Sequence, residues 1–228
     1  MNLERKWKDR LYQEFARIGK CLSSPKRLEL IDLLAQGPKS VDQLSKNTGM
    51  SVANVSQHLQ TLYEARLVRF TKKGNYVIYE LAELSVANFM VSLHHLCEKQ
   101  LVEIQRLKTE ILQHHESMEP IALEELMDRL KKGEVLLLDV RPKEEYERDH
   151  IPGAISTPIE ELEKHLSSLP QNMEVAAYCR GPYCLMSAQA VEILKSKGFK
   201  ASRLEEGVHE WHHYVERYPY PTTGGNYL

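Results

Sequence analysis

Apolar side chains recur at helical spacing through the first half of the chain and give way to short continuous apolar runs in the second. Leu3 to Ile18 reads as an amphipathic helix, and Pro25 to Ala35 as another, with Pro25 near its first turn and Gly37-Pro38 closing it. Ser40 to Asn47 predicts a short helix, Gly49-Met50 a turn, and Ser51 to Ala65 a longer helix with Val52, Val55, Leu59 and Leu62 on its apolar side. That order is helix-turn-helix geometry. Two β-rich runs, Leu67 to Thr71 and Tyr76 to Leu81, flank the polar Lys72-Lys73-Gly74-Asn75 and predict a hairpin. From Ser85 a helix is expected to run to about His114. Its seam of Val86, Met90, Leu93, Cys97, Ile104, Leu107 and Ile111 is broken only at Gln100, and such a seam usually meets another helix.

The second half alternates differently. Val135 to Val140 and Glu174 to Tyr178 are the continuous apolar runs expected of buried parallel strands, with helical patterns at Leu123 to Lys131, Ile159 to Leu166 and Ser187 to Lys197. Strand alternating with helix predicts an α/β layer fold with a mostly parallel sheet. The boundary falls in Gln113 to Pro120, because proline disfavours helix in the residue before it. This gives a mainly α domain at 1–118 and an α/β domain at 119–228, whose tail from Arg217 lacks periodicity and is expected to be poorly ordered.

A chain of 228 residues fits two modest domains better than one large one, and 42% hydrophobic with 27% charged residues excludes collagen-like and wholly disordered classes. No apolar run is long enough to cross a bilayer and the first residues lack a signal-peptide stretch, so no membrane partner and a cytoplasmic address are expected. Four cysteines, Cys21, Cys97, Cys179 and Cys184, are too few for a disulfide scaffold and read as thiols. The net charge of -2 conceals an asymmetry: residues 1–118 carry 17 basic and 13 acidic side chains, residues 119–228 carry 13 and 19. The first part is suited to a polyanion and the second is not.

The run SVDQLSKNTGMSVANVSQHLQTLYEARLV, followed by the hairpin, resembles the winged helix-turn-helix of the arsenic-repressor (ArsR-type) family over about residues 10–112. A recognition helix needs short polar side chains facing the major groove. Ser51, Asn54, Ser56, Gln57, His58 and Gln60 are the candidates, Gln57 being able to pair with adenine. Ser56 and His58 could instead merely pack or cap, and for His58, beside apolar Leu59, the two readings stand level. Lys72 and Lys73 suit phosphate contacts. The resemblance implies a homodimer on double-stranded operator DNA. Arg66 stands where the family commonly has glycine, which implies a reshaped turn.

Soft-metal sensors of that family carry a Cys-Val-Cys pair where this chain has Ser40 and Asp42, and the spacing of His94, His95, His114 and His115 does not suit a tetrahedral site. A metal-responsive repressor is therefore the alternative and no metal is assigned. Cys21 and Cys97 are either small buried hydrophobes or sensor thiols on helices that the resemblance places at the dimer interface.

Residues of about 119–215 carry Leu138-Asp139-Val140-Arg141-Pro142 with Glu144-Glu145-Tyr146, then His150-Ile151-Pro152-Gly153-Ala154, then Tyr178-Cys179-Arg180-Gly181-Pro182-Tyr183-Cys184, and a distal Gly207-Val208-His209-Glu210-Trp211. In this order they resemble the rhodanese (sulfurtransferase) family, with Asp149 and Glu206 standing where it usually has glycine. The resemblance implies double displacement. Cys179 takes sulfane sulfur from a donor such as thiosulfate or polysulfide and passes it to a thiol or cyanide, with no cofactor required. Placed between a buried strand and a helix start near Cys184 or Leu185, Cys179 is expected to face backbone N–H groups that favour its thiolate, with Arg180 adding charge. Gly181, Pro182, Tyr183, Cys184 and Leu185 form the persulfide loop, and Asp139, Arg141 and His150 are expected to brace it. The loop Cys179 to Cys184 has the sulfurtransferase length, one residue short of related phosphatases. Cys184 is read as replacing a small polar residue, the alternative being a second thiol that resolves the persulfide. Together these features predict a repressor responsive to reactive sulfur, the alternative being a sulfurtransferase merely tethered to DNA.

Overall fold

The computed structural model describes residues 3–113 and 120–217, except the side chains of 111–113 and 217. The expected boundary segment and tail therefore lie largely outside the described residues, as do His114 and His115. The chain forms two compact units, residues 1–90 and 91–228.

In the first unit, α1 (Leu3–Leu22) and α2 (Pro25–Ala35) precede a short strand β1 (Lys39–Ser40), α3 (Val41–Thr48) and α4 (Val52–Glu64). Ser40 begins α3 with a reciprocal capping box: its hydroxyl accepts the Gln43 N–H at 3.1 Å, and the Gln43 side chain accepts the Ser40 N–H at 2.8 Å. Gly49 ends α3 at φ 67°, where a side chain would be strained, and so permits the tight turn into α4. Leu30, Ile31, Leu34, Leu44, Val55, Leu59 and Leu62 are buried from α2, α3 and α4.

The hairpin is tighter and wider than expected. β2 (Val68–Lys73) pairs antiparallel with β3 (Tyr76–Leu81) up to Lys73 opposite Tyr76, leaving a two-residue turn rather than a four-residue loop, and β1 adds a third strand at the edge of β3. Tyr63 of α4 meets Phe70 at 5.2 Å between ring centroids, and Phe70 meets Tyr79 at 5.5 Å, so an aromatic row seats the hairpin on α4.

Between α4 and the hairpin the chain makes a Schellman motif: Arg66 N–H donates to Tyr63 O at 2.9 Å and Leu67 N–H to Leu62 O at 3.0 Å. Arg66 sits at φ 60°, alone among the described non-glycine residues in being left-handed. The turn thus keeps a glycine-like shape and the arginine bears the strain. Arg66→Gly is expected to stabilise this unit by about 1 kcal/mol, read as a higher urea midpoint; an unchanged or lower midpoint would refute the strain.

α5 (Leu84–Gln100) and α6 (Val102–Gln113) replace the single helix expected from Ser85. The break falls at Leu101, next to the Gln100 interruption of the seam. Glu98 and Lys108 would lie about 15 Å apart along a straight helix, yet Lys108 Nζ is 3.1 Å from Glu98 Oε1, so α6 folds back.

The second unit continues with β4 (Pro120–Ile121), α7 (Leu123–Lys131), β5 (Val135–Asp139), α8 (Lys143–Arg148), β6 (Ala154–Ser156), α9 (Leu162–His165), β7 (Glu174–Tyr178), α10 (Met186–Ser196), β8 (Ala201–Leu204) and α11 (Val208–Arg217). The sheet order is β4-β8-β7-β5-β6, every pairing parallel. Strand periodicity splits the core in two. Leu137, Ala176 and Tyr178 face one layer, with Leu126 and Val208; Leu138, Val175, Ala177 and Cys179 face the other, with Ala190, Val191 and Leu194 of α10. Connections leave in opposite directions from β5 and β7, so the carboxyl ends of these neighbours form a topological switch point, where open α/β sheets place their ligands.

Candidate functional site

Asp139 and Tyr178 end β5 and β7 side by side. Tyr178 hydroxyl donates to Asp139 Oδ2 at 2.6 Å and accepts the Ile151 N–H at 3.1 Å. Arg141 Nη2 donates to Asp139 Oδ2 at 2.5 Å and to Asp149 O at 2.7 Å, and its backbone N–H donates to Asp139 Oδ1 at 3.0 Å. Asp139 is fully buried and Arg141 nearly so, which makes them a paired internal charge bracing the switch point. Burial and the Asp139 carboxylate push the Tyr178 phenol far up. His150 is half-buried, with Nδ1 3.0 Å from Tyr146 O and its ring stacked on Tyr146. Asp149 has extended backbone at φ −165°, which any residue adopts, so glycine is not required there.

Cys179 leaves β7 on the face of Val175 and Ala177 and is 1% exposed. Its sulfur lies within hydrogen-bond distance of Ser187 Oγ at 3.2 Å and of Cys184 O at 3.3 Å. Arg203 on β8, also buried, ties these partners together: Nε donates to Ser187 Oγ at 3.0 Å and Nη2 to Pro182 O at 2.9 Å. Arg180 is clamped in two-pronged fashion by buried Glu145, at 3.0 and 2.8 Å. Gly181 has φ 132°, a conformation that favours glycine. Gly207 passes so close behind the loop that a Cβ there would lie 2.7 Å from Arg180 C and 2.9 Å from Gly181 N. Its N–H donates to Glu210 Oε2 at 2.9 Å, and burial raises the Glu210 carboxyl. α10 starts at Met186, with Leu185 exposed at its N-cap.

The thiolate falls elsewhere than expected. Burial pushes the Cys179 thiol well up. Cys184, hydrogen-bonded by the Cys179 thiol and by the backbone N–H groups of Arg180 and Met186, with the Arg180 charge near it, is lowered to about 6. The two sulfurs share a hydrogen bond, so they titrate as a pair in which the first proton leaves early and the second is held. Alkylation by iodoacetamide, mapped by mass spectrometry, is therefore expected to mark Cys184 with a midpoint near pH 6. Cys179→Ala, by removing the largest lowering cause, moves that midpoint upward. A midpoint in the ordinary thiol range in the unsubstituted chain would contradict the geometry.

Tyr183 projects from the loop to α5, donating to Glu98 Oε1 at 3.2 Å and meeting the His94 ring edge-on at 5.2 Å. Lys108 bridges Glu98 and Glu205, each at 3.1 Å. Pro182 lines a cavity of about 70 Å³ with Glu206, Glu210, His94 and His95. Among the described residues no three His, Cys, Asp or Glu side chains are grouped to hold a metal ion, and no helix is long and apolar enough to cross a membrane.

On α4, Asn54, Ser56, Gln57 and Gln60 are exposed and His58 is half-buried. Ser51 caps the helix, its hydroxyl accepting the Asn54 N–H at 3.3 Å, and Gln60 donates to Glu64 at 3.1 Å. Lys72 and Lys73 are exposed at the end of β2. Cys21 is buried, its thiol 3.7 Å from Thr61 O, and burial raises it; Cys97 on α5 is half-buried. All four cysteines are free.

Sequence reasoning did not single out Arg203, Ser187 or Glu145 as loop-holding residues. Glu145 sits in a motif that pointed to it; Ser187 and Arg203 are drawn in only by the register of β8 against β7 and the start of α10.

A helix-turn-helix with a β-hairpin wing, joined to a parallel α/β domain whose cysteine loop occupies the switch point, defines a DNA-binding regulator with a rhodanese-like domain. Residues 24–69 match the family described as "Bacterial regulatory protein, arsR family" and residues 122–214 the "Rhodanese-like domain". The HTH-type transcriptional regulator Rv0324 of Mycobacterium tuberculosis is 38% identical over 201 residues, 88% of either chain. The putative sulfur carrier protein YrkF of Bacillus subtilis is 35% identical over 97 residues, 42% of this chain and 51% of that one. A solution structure of a homodimeric winged helix-turn-helix DNA-binding domain from Mycobacterium bovis is 33% identical, with a TM-score of 0.40, over 41% of this chain and 87% of that one. The chain belongs to the arsR family of bacterial transcription regulators, and carries a rhodanese-like domain beside its DNA-binding one.

Proposed function

We propose that this regulator is a repressor responsive to reactive sulfur, in which Cys179 takes sulfane sulfur as a persulfide and the change lowers affinity for operator DNA. The observation that carries this reading is the loop. A free cysteine at the switch point is held by Ser187 and Arg203, with the Arg180 charge fixed beside it, in the same chain as a helix-turn-helix. The relative named as a putative sulfur carrier supports it. Asn54, Ser56 and Gln57 are the side chains offered to base edges and Lys72 and Lys73 those offered to phosphate, with His58 partly withdrawn and Ser51 and Gln60 engaged within α4. A second copy of the chain is the partner: Trp7, Tyr12 and Phe15 of α1, and Phe89 and Leu96 of α5, are large apolar side chains left exposed.

Cys179 either detects sulfur directly or passes it to Cys21 and Cys97. The domain acts as a thiosulfate or polysulfide sulfurtransferase in this reading. Single-turnover mixing with thiosulfate tests the first step: the chain is expected to release one equivalent of sulfite and Cys179→Ser none. Absence of sulfite from the unsubstituted chain would overturn the reading.

A further inference from the structure

Sulfur uptake at Cys179 leaves Cys184 without a task. Its sulfur is in hydrogen-bond contact with the Cys179 thiol, and both of its sides are fixed: the backbone carbonyl lies 3.3 Å from Cys179 Sγ and accepts Arg203 Nη2 at 3.5 Å, while its N–H donates to Gly181 O at 3.1 Å. A hydroxyl would fill the same place. A thiol sets a second nucleophile against the first, with the Arg180 charge beside both.

We propose that Cys184 is a resolving thiol, so that the loop reduces sulfane sulfur to sulfide and closes a Cys179–Cys184 disulfide. The proposal rests on the uptake reading above. With thiosulfate as donor, Cys179 Sγ attacks the outer sulfur; that sulfur's bond to the sulfonate breaks and sulfite leaves with the electron pair. Cys184 Sγ then attacks Cys179 Sγ, the disulfide forms, and the bond from Cys179 to the outer sulfur breaks with its pair going to hydrosulfide. One thiosulfate and two thiols give one sulfite, one hydrogen sulfide carrying both thiol protons, and one disulfide. The two cysteines supply the electrons that reduce the outer sulfur, and a small-molecule thiol resets the loop. In the second step the backbone N–H groups of Arg180 and Met186 and the Arg180 charge still face Cys184 and favour its thiolate, although the Cys179 proton is gone. Closure also constrains the segment between the two cysteines, which includes Tyr183 and its contacts to His94 and Glu98.

The test is a single turnover of the full-length chain with thiosulfate and no added thiol, read by product. The chain is expected to release sulfite and sulfide in equal amounts, to become lighter by two hydrogens, and to yield a peptide linking Cys179 with Cys184. Cys184→Ser and Cys184→Ala are each expected to give sulfite without sulfide and a chain heavier by one sulfur atom, the pair separating loss of the thiol from loss of a hydrogen-bonding group. Sulfite without sulfide from the unsubstituted chain, with the extra sulfur retained, overturns the proposal alone. No sulfite from any of these chains overturns the uptake reading and the proposal with it.

Discussion

Asp139→Ala is expected to lower the stability of the second unit by about 3–5 kcal/mol, because it removes one member of a buried ion pair and leaves the other uncompensated. Arg141 would lose its carboxylate partner while remaining inside, and the Tyr178 hydroxyl, 2.6 Å from Asp139, would lose its acceptor. Asp139→Asn keeps an acceptor for Tyr178 and is expected to cost less. The two tryptophans fall one in each unit, Trp7 on α1 and Trp211 on α11, where Trp211 packs against the core around Tyr178. Urea unfolding followed in a Trp7→Phe background therefore reports the second unit. An unshifted midpoint would show that the pair does not brace the switch point.

Gly207→Ala carries the second large effect, and it acts on the loop. The added methyl would lie 2.7 Å from Arg180 C and 2.8 Å from Arg180 O, and since those are backbone atoms no side-chain rotation relieves the clash. The loop must move. Overpacking of this kind costs about 1–3 kcal/mol, and a displacement near 1 Å at a reacting group costs about a hundredfold in rate. Sulfite release from thiosulfate is the measurement, with the far-ultraviolet spectrum as the check on folding. A folded variant with unaltered release would mean that the loop is not held from behind by Gly207.

Much of this was legible from the chain. Val135 to Asp139 and Glu174 to Tyr178 are strands, as their apolar runs imply, because a parallel strand buried on both faces needs no alternation. The helix-turn-helix follows from Ser40, Gly49 and Ser51, whose capping roles are local. The helix expected from Ser85 divides at Leu101 because the turn is sustained by contacts ten residues apart, Glu98 with Lys108, which periodicity does not register. Arg66 is another such case: the helix-ending bonds fix its backbone, so the turn is not reshaped to suit the arginine. At the candidate site, the order of motifs placed Cys179 and Arg180 together, but not the sulfur that holds the charge. That depends on which N–H groups aim at which thiol, a matter of loop geometry at Arg180 and Met186. Arg203 escaped notice because an arginine in a short strand reads as an exposed edge until β8 is seated beside β7.

Sulfur taken at Cys179 is proposed to change the affinity of the chain for DNA. Fluorescence anisotropy on a duplex that the chain itself selects from a random pool, with and without polysulfide, tests it most directly. The unsubstituted chain is expected to lose about tenfold or more in affinity on sulfur loading, within the usual range of coupling between linked sites, and Cys179→Ser to bind equally well in both conditions. Equal affinity of the unsubstituted chain with and without polysulfide, in the presence of sulfite release from thiosulfate, would contradict the claim and leave a sulfurtransferase tethered to DNA.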